Sequence, residues 1–401
     1  MLFALSVGGC AGRVAPSTVP VATPDTNAVA TRVDSAVVTQ AAPDSQPAKT
    51  TRPATTKSVG RFYVERSYGS DAQFNPLTVI VNEGWDMFRL VDEREVFNQP
   101  YSQSWRTVWK SLVSPAATVK SYGTWRWLRN EVFPITFGGK GGQWEPNYHL
   151  HLFGSGMTYI RTAEWYEQHD VPHPKIASAI TLFVGHGINE VLENFGHTGY
   201  DEDGMTDLLI FDPAGMLLWN TDWMQRKFSG GRIEMTDWYG QPVLSQPDNR
   251  LENTFSAFMV RVPLPRTDNW KLITTGGNAF LFGVSRRIGN EHWLSFTGGA
   301  IPTGVPVIDD KTNTRTVTLA PNGGVFFDRN GSLLASFTGK SGITNGMTLN
   351  VYPGIVGSGR WSPGFYVQQA HGGVDGHGIR FGVTSSLGFG LGAVSRIPIR
   401  R

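Results

Sequence analysis

A stretch of apolar sequence in the middle of the chain is interrupted by side chains that bind metals or move protons. Asn147, His149, His151 and Ser155 come first, then His186, Asn189, Glu190 and Glu193, then Asp207 and Asp212. His186, Glu190 and Glu193 stand at i, i+4 and i+7, which places them on one face of a helix. Val184, Ile188, Val191 and Phe195 form an apolar stripe beside that face. Carboxylates next to such a stripe must find partners or take up protons. His149 and His151, on the preceding segment, are the natural partners.

Three chemistries fit these residue types. Imidazole and carboxylate from two helices can ligate a metal, although His-x-x-x-Glu-x-x-Glu is not the Glu-x-x-His spacing of di-iron bundles. The identity of any metal, and of any other cofactor, stays open. A histidine with a carboxylate can also move protons on a lipid or glycan; His149, His151, Glu190 and Glu193 are the candidates. Ser155, one turn from His151, could serve as a nucleophile, but no Gly-x-Ser-x-Gly elbow surrounds it. The third possibility is a buried polar network of Ser155, His186, Asn189, Asp207 and Asp212 that fixes helix packing.

These residues need helices to position them. One is expected from about Asn147 to Gln168, with Pro146 at its entrance. A second runs from Pro174 to about Phe195 and stops at Gly196. A third runs from near Thr206 to Trp219, preceded by Asp201, Glu202 and Asp203 at the positive end of its dipole; Pro213 should kink or split it. Asp201-Glu202-Asp203-Gly204 with Asp207 resembles half of a calcium loop but lacks its remaining ligands. Upstream, Trp105, Val108, Trp109 and Leu112 recur at helical spacing, and Gly138–Gly142 form a Gly-rich turn. None of the helices has 18 uninterrupted apolar residues, so no transmembrane helix is expected.

After about Gly230 the period changes to two. Asn-Gly pairs at 322–323, 330–331 and 345–346 predict tight hairpins. Phe280, Phe282 and Val284 alternate with Leu281, Gly283 and Ser285, and His292–Thr297 is the expected partner strand. Ile379, Phe381, Val383, Leu387, Phe389 and Leu391 alternate with Arg380, Gly382, Thr384, Ser386, Gly388 and Gly390. About eight to ten such strands are expected. A membrane barrel turns such an apolar face outward, and a soluble barrel turns it inward; the pattern alone fits both. His371, Asp375 and His377 read as exposed loop residues.

The chain has 401 residues, 35 Lys+Arg against 33 Asp+Glu, and a single cysteine, Cys10. The near balance of charge argues against nucleic-acid binding, and no Walker loop, Rossmann fingerprint, zincin motif or cysteine-based site is present. Met1–Gly9 is an apolar run that ends in small residues before Cys10. It resembles the lipobox of bacterial lipoproteins, which implies acylation of Cys10 and attachment to membrane lipid, though no basic residue precedes the run. Residues 11 to about 58 contain no Phe, Trp or Tyr, as expected of a disordered tether.

The order Trp125-Arg126-Trp127, Asn147-Tyr148-His149-x-His151, Asn189-Glu190-x-x-Glu193, Thr206-Asp207 and Asp212-Pro213-x-Gly215 resembles uncharacterised bacterial envelope lipoproteins in which a helical block precedes a β-barrel. The helical part is similar to YfiM-like periplasmic lipoproteins. The resemblance covers about residues 100–220 and implies location and architecture, but no reaction.

The expected fold is α+β. A leader with lipobox spans 1–10, a disordered linker 11–60, a helical domain 61–230 and an antiparallel β-barrel-like domain 231–401. The expected role is that of an outer-membrane-associated lipoprotein of the bacterial envelope with a scaffolding or lipid- or protein-binding function. The alternative is a membrane-surface hydrolase or acyl-modifying enzyme using the His and Glu residues of the helical block.

Overall fold

The computed structural model describes residues 60–401, except 90–94, 135–144, 230–231, 247, 278, 303–306, 310–313, 317–318, 341–344, 358–361, 371–377 and 397–401. The leader, Cys10 and the linker through residue 59 lie outside the described residues, as do Gly138–Gly142, His371, Asp375 and His377. Residues 57–401 form one compact unit, an α+β fold with helices first and a large sheet after them.

The helices are α1 (Pro76–Gly84), α2 (Tyr101–Val113), α3 (Pro115–Tyr122), α4 (Thr124–Trp127), α5 (Ser155–Gln168), α6 (Pro174–Glu193), α7 (Glu202–Thr206), α8 (Asp212–Trp219) and α9 (Asp222–Ser229). Asn75 caps α1 by accepting a hydrogen bond from the Thr78 amide, and Pro76 occupies its first turn, where no N–H is needed. Helix α6 starts on Pro174; beyond it Phe195 and Gly196 take positive φ, as a helix end requires.

The segment expected as one helix over 147–168 is two pieces: a π-helical stretch, Glu145–Gly154, precedes α5. The third expected helix is also divided. Helix α7 leads into a π-helical turn, Asp207–Phe211, and α8 begins at Asp212-Pro213, the point where proline withholds a backbone donor.

Helix α5 packs on α6 and α8, and α1 packs on α6. Two glycines permit these close approaches. A Cβ on Gly156 would lie 2.2 Å from the Trp219 ring, and one on Gly215 would lie 2.7 and 2.8 Å from the carbonyl oxygens of Leu152 and His151. Met157, Ile160, Leu182 and Trp219 form a core with Tyr239 and Phe258 from the sheet. No helix among the described residues is long and apolar enough to cross a membrane.

The strands are β1 (Glu234–Tyr239), β2 (Val243–Gln246), β3 (Arg250–Glu252), β4 (Ser256–Pro263), β5 (Trp270–Gly277), β6 (Phe280–Arg287), β7 (His292–Pro302), β8 (Val307–Asp309), β9 (Thr314–Thr316), β10 (Leu319–Arg329), β11 (Ser332–Lys340), β12 (Asn345–Val351), β13 (Gly364–Ala370), β14 (Gly378–Thr384) and β15 (Gly390–Arg396). β8 and β9 pair with each other. The other 13 form one sheet in the order β1-β4-β5-β6-β7-β10-β11-β12-β13-β14-β15-β2-β3. This corrects the expected antiparallel barrel in two respects. β15 pairs with β2 in parallel, so the sheet is mixed. The sheet is also not closed, because β1 and β3 remain its edges.

It is nonetheless strongly curled. Trp238 on β1 stacks on Phe326 of β10 with ring centroids 5.1 Å apart, whereas a flat sheet would hold strands five places apart by about 24 Å.

Only one Asn-Gly pair makes a tight reversal. Asn330 and Gly331 take φ of 52° and 84° between β10 and β11. Asn322-Gly323 lies inside β10, paired to β7 and β11 on both sides. Asn345 opens β12 beside a register shift at Asn345/Met347. At 322–323 the neighbouring strands hold the chain in the ladder against the local turn preference, whereas Gly346 is the residue that the register shift leaves out.

The two faces of the curled sheet differ: the concave face holds an apolar cluster of Trp238, Met259, Ile273, Leu281, Phe326 and Leu333 together with a set of buried polar groups. Arg261, Ser285, Ser295, Asp328, Asn350, Gln368 and Arg380 are buried inside. The row Val262–Leu272–Val284–Phe296–Val325–Phe337–Leu349–Val367–Phe381–Ala393 runs in unbroken register over ten strands on the outside, and none of its members is buried.

Candidate functional site

The polar residues of the helical block converge on Asp212, the first residue of α8. His151, from the π-helical stretch, brings Nδ1 to 2.9 Å from Asp212 Oδ1. His186, from the middle of α6, brings Nδ1 to 2.6 Å from Asp212 Oδ2. The two imidazoles meet edge to face, with centroids 5.1 Å apart. Their other ring nitrogens also face carboxylates: His151 Nε2 lies 3.4 Å from Asp207 Oδ2, and His186 Nε2 lies 3.2 Å from Glu83 Oε2. Ser155 Oγ stands 3.4 Å from His186 Nε2, while its hydroxyl donates to the Leu150 carbonyl at 3.1 Å.

Local structure explains the convergence. Pro213 restarts the helix at Asp212 and aims its carboxylate at both histidines. Gly215, one turn later, lets α8 rest directly on the carbonyls of His151 and Leu152. The π-helical turns carry His151 and Asp207, and such turns shift side chains off the regular helical rows. Gly204 of α7 leaves room for Glu190; a Cβ there would lie 2.7 Å from Glu190 Oε2.

Three groups of potential ligands result: His151, His186 and Asp212; His151, Glu190 and Asp207; and Glu190, Glu193 and Asp203. Within each group the donor atoms lie within 4.8 Å of one another. His151 belongs to the first two groups and Glu190 to the last two, so the groups form a chain. All members are buried except His151 and Glu193, which are partly exposed. Asp207 Oδ1 is buried with no hydrogen-bond partner.

The electrostatics follow from this crowding. Burial, then Asp207, Glu193 and Asp203, push the Glu190 carboxyl well above its ordinary range. Burial, then Asp203 and Asp212, do the same to Asp207. Burial opposes ionisation of Asp212 as well, but His186 and His151 outweigh it and hold that carboxyl far down. For His186, burial disfavours the imidazolium, yet Asp212 and Glu83 overcome this and carry it well above its ordinary value. As an imidazolium it donates from both nitrogens, so it can bind a metal only by releasing a proton.

His149 stands apart from the other candidate proton-transfer residues. Its ring stacks on Phe280 and meets Phe258 edge-on, each at 4.7 Å, so it packs the helical block against the sheet. It alternates with His151 in sequence and points elsewhere. Asn189 donates to the Glu83 carbonyl at 2.9 Å and ties α6 to α1. Asn147 donates to the Glu131 carbonyl at 2.8 Å. Asp203 belongs to the third donor group, beyond the helix-dipole role expected of it.

Sequence reasoning missed Glu83. It sits near the end of α1, where Tyr239 donates to its Oε1 at 3.1 Å. The signal was the Asn75-Pro76 helix start before Leu77, Val79 and Val81, which makes Glu83 an acid at the end of an apolar helix.

Comparison of the chain with protein-family models, with curated proteins and with solved structures found no match. The envelope-lipoprotein resemblance draws no support from them.

Proposed function

We propose that the helical block is a divalent-metal centre that activates water for hydrolysis of an ester or phosphoester. One observation carries this reading: the three donor groups are linked through shared His151 and Glu190, while the buried carboxylates outnumber the two imidazoles. A buried carboxyl oxygen with no protein donor takes up a proton or binds a cation, and Asp207 Oδ1 is such an atom.

A cation held by His151, His186 and Asp212 would lower the pKa of a bound water towards neutrality. Asp207, beside His151, would add a carboxylate ligand, and Glu190 would accept the proton that the water loses on attack and return it to the leaving oxygen. His151, whose side chain is 15% exposed, marks the side from which water and substrate enter.

The test is metal analysis of the purified full-length chain, followed by assay on nitrophenyl ester and phosphodiester probes. Bound Zn²⁺, Mn²⁺ or another divalent ion near stoichiometry is expected, lost together with hydrolysis in Asp207→Asn and His151→Ala. A chain that binds no metal when supplied with these ions overturns the reading. That result would favour the scaffolding or lipid-binding role, with the cluster filled by protons instead.

A second reading has its own observation. Ser155 Oγ, His186 and Asp212 stand in the order of a nucleophile, a base and an orienting acid. Glu83 competes for His186 Nε2, and an imidazolium cannot accept the serine proton, which weighs against it. Fluorophosphonate labelling of Ser155 in metal-free protein would favour it over the metal centre.

The proposed location is the bacterial cell envelope at the outer membrane, with Cys10 acylated. This part rests on the lipobox-like sequence before Cys10, and acyl labelling lost in Cys10→Ser is its test.

A further inference from the structure

The sheet has apolar residues on both faces: an apolar cluster and buried ion pairs inside the curl, and an exposed apolar row outside it. A sheet in water hides its apolar face and wets its polar one. Here Arg261 is fully buried among Asp328, Ser285 and Ser295 inside the curl, and Arg380 is buried against Glu252. Outside, Phe282 is 63% exposed, and Phe296, Phe337, Leu349 and Phe381 are exposed as well.

The apolar surface is also deeper than one row. Two residues along, Leu294–Phe327–Ala335–Val351–Phe365–Val383–Leu391 runs in register across seven strands. Two residues the other way, Phe282 is followed in register by Gly298, Gly323 and Gly339, then by Met347, Gln369 and Ile379. The outer rows are about 13 Å apart.

We propose that the outward face of β4–β7 and β10–β15, beyond the Phe258–Phe280 end that His149 and the helices cover, lies in the hydrocarbon of a lipid bilayer that contains anionic lipid. The curl selects a bilayer over a protein partner. The row follows ten strands around one interior, so it faces many directions, and a second copy docked on it would cover only one side. The rim supports the same occupant through charge complementarity. At the ends of β5 and β6, exposed Arg286 lies over exposed Trp270, 5.6 Å from the ring centroid, and Arg287 beside it is exposed as well. Exposed Arg266 occupies the adjoining β4–β5 turn. Tryptophan and arginine together suit the headgroup level, where the ring sits at the interface and the cation meets phosphate. The inference is independent of the metal reading, since it uses no residue of the helical cluster.

The test uses the full-length chain with Cys10→Ser, which removes the only native thiol and any acyl anchor. A polarity-sensitive fluorophore is attached at Phe337→Cys, at Phe381→Cys, or at the exposed control Asp222→Cys on α9. Each labelled protein is mixed with phosphatidylcholine vesicles, with or without phosphatidylglycerol. Probes at 337 and 381 should shift to the blue, gain intensity several-fold and be quenched by brominated acyl chains, more so with phosphatidylglycerol. The probe at 222 should do none of this. Circular dichroism matching the unlabelled chain verifies folding, and either belt position alone suffices. Water-like emission at both belt positions in vesicles overturns the proposal. So does a chain that stays a dispersed monomer in detergent-free buffer. Protection of the belt by a dimer, unchanged by vesicles, assigns the face to a second copy and overturns it as well.

Discussion

The helical cluster and the interior of the sheet both bury charge, but they hold it differently. Inside the sheet, Arg261 gives two hydrogen bonds to Asp328 and others to Ser285 and Ser295, so donors and acceptors are matched in place. In the helical cluster, Asp207, Glu190 and Asp203 crowd together with His151 and His186 as the basic groups in the three donor sets. A matched network holds a structure together. An orphaned carboxyl oxygen, as Asp207 Oδ1 is, is stabilised by a proton or a cation. Substitutions in the two regions should therefore have opposite signs.

The largest expected effect is in the sheet. Arg261→Met strands a buried Asp328 and should cost roughly 3–5 kcal/mol, while Arg261→Met with Asp328→Leu should recover most of the loss. Urea unfolding reads both. A small effect of the single variant would show that water reaches the sheet interior.

The pH dependence tests the seam between the regions. Asp237 on β1, beneath the helices, faces Arg161 and Thr158. Burial, offset in part by Arg161, pushes its carboxyl up to about 7 from 3.8. Because the folded value is raised, the native state keeps a proton that the unfolded chain has released. Asp237 thus contributes stability that is full below about pH 4 and lost as pH rises through about 7. At about 1.4 kcal/mol per unit the span is roughly 4 kcal/mol. Thermal unfolding from pH 4 to pH 8 should show the decline, and Asp237→Asn should flatten it.

Gly215→Ala should cost roughly 1–3 kcal/mol by overpacking. It should also push α8 off the His151 and Leu152 carbonyls and take Asp212 out of reach of both histidines. Calorimetric metal titration and unfolding, run on one sample, separate the two consequences.

The smallest effect, and the sharpest for the comparison, is that of Asp207→Asn. In metal-free protein it removes a like charge and should leave stability unchanged or raised by about 1 kcal/mol. Metal affinity should fall by more than about 100-fold, beyond what loss of a mere supporting partner causes. Destabilisation like that of Arg261→Met would show that the helical cluster is a matched network too.

Much of this was legible in the residue order, and the limits of legibility have physical causes. The face of His186, Glu190 and Glu193 follows from helical period, the break at Pro213 from a missing N–H, and the change to strands after Gly230 from a period of two. The Asn-Gly pair at 330–331 made its turn because the chain reverses there. The pair at 322–323 was held in the ladder, and that at 345–346 became a register shift, through neighbours that no local pattern reveals.

Residue types and spacing determined by themselves which side chains could do chemistry, that helices would carry them, and that one face of the later strands would be apolar. Tertiary structure decided the rest. It chose His151 over His149, two residues away, because a π-helical turn sets their directions. It brought in Glu83 from a helix more than a hundred residues upstream of α8. It also turned the apolar face of the strands outward, because the direction in which a sheet curls is set by contacts across its concave side, such as that of Trp238 with Phe326, and these join residues far apart in the chain.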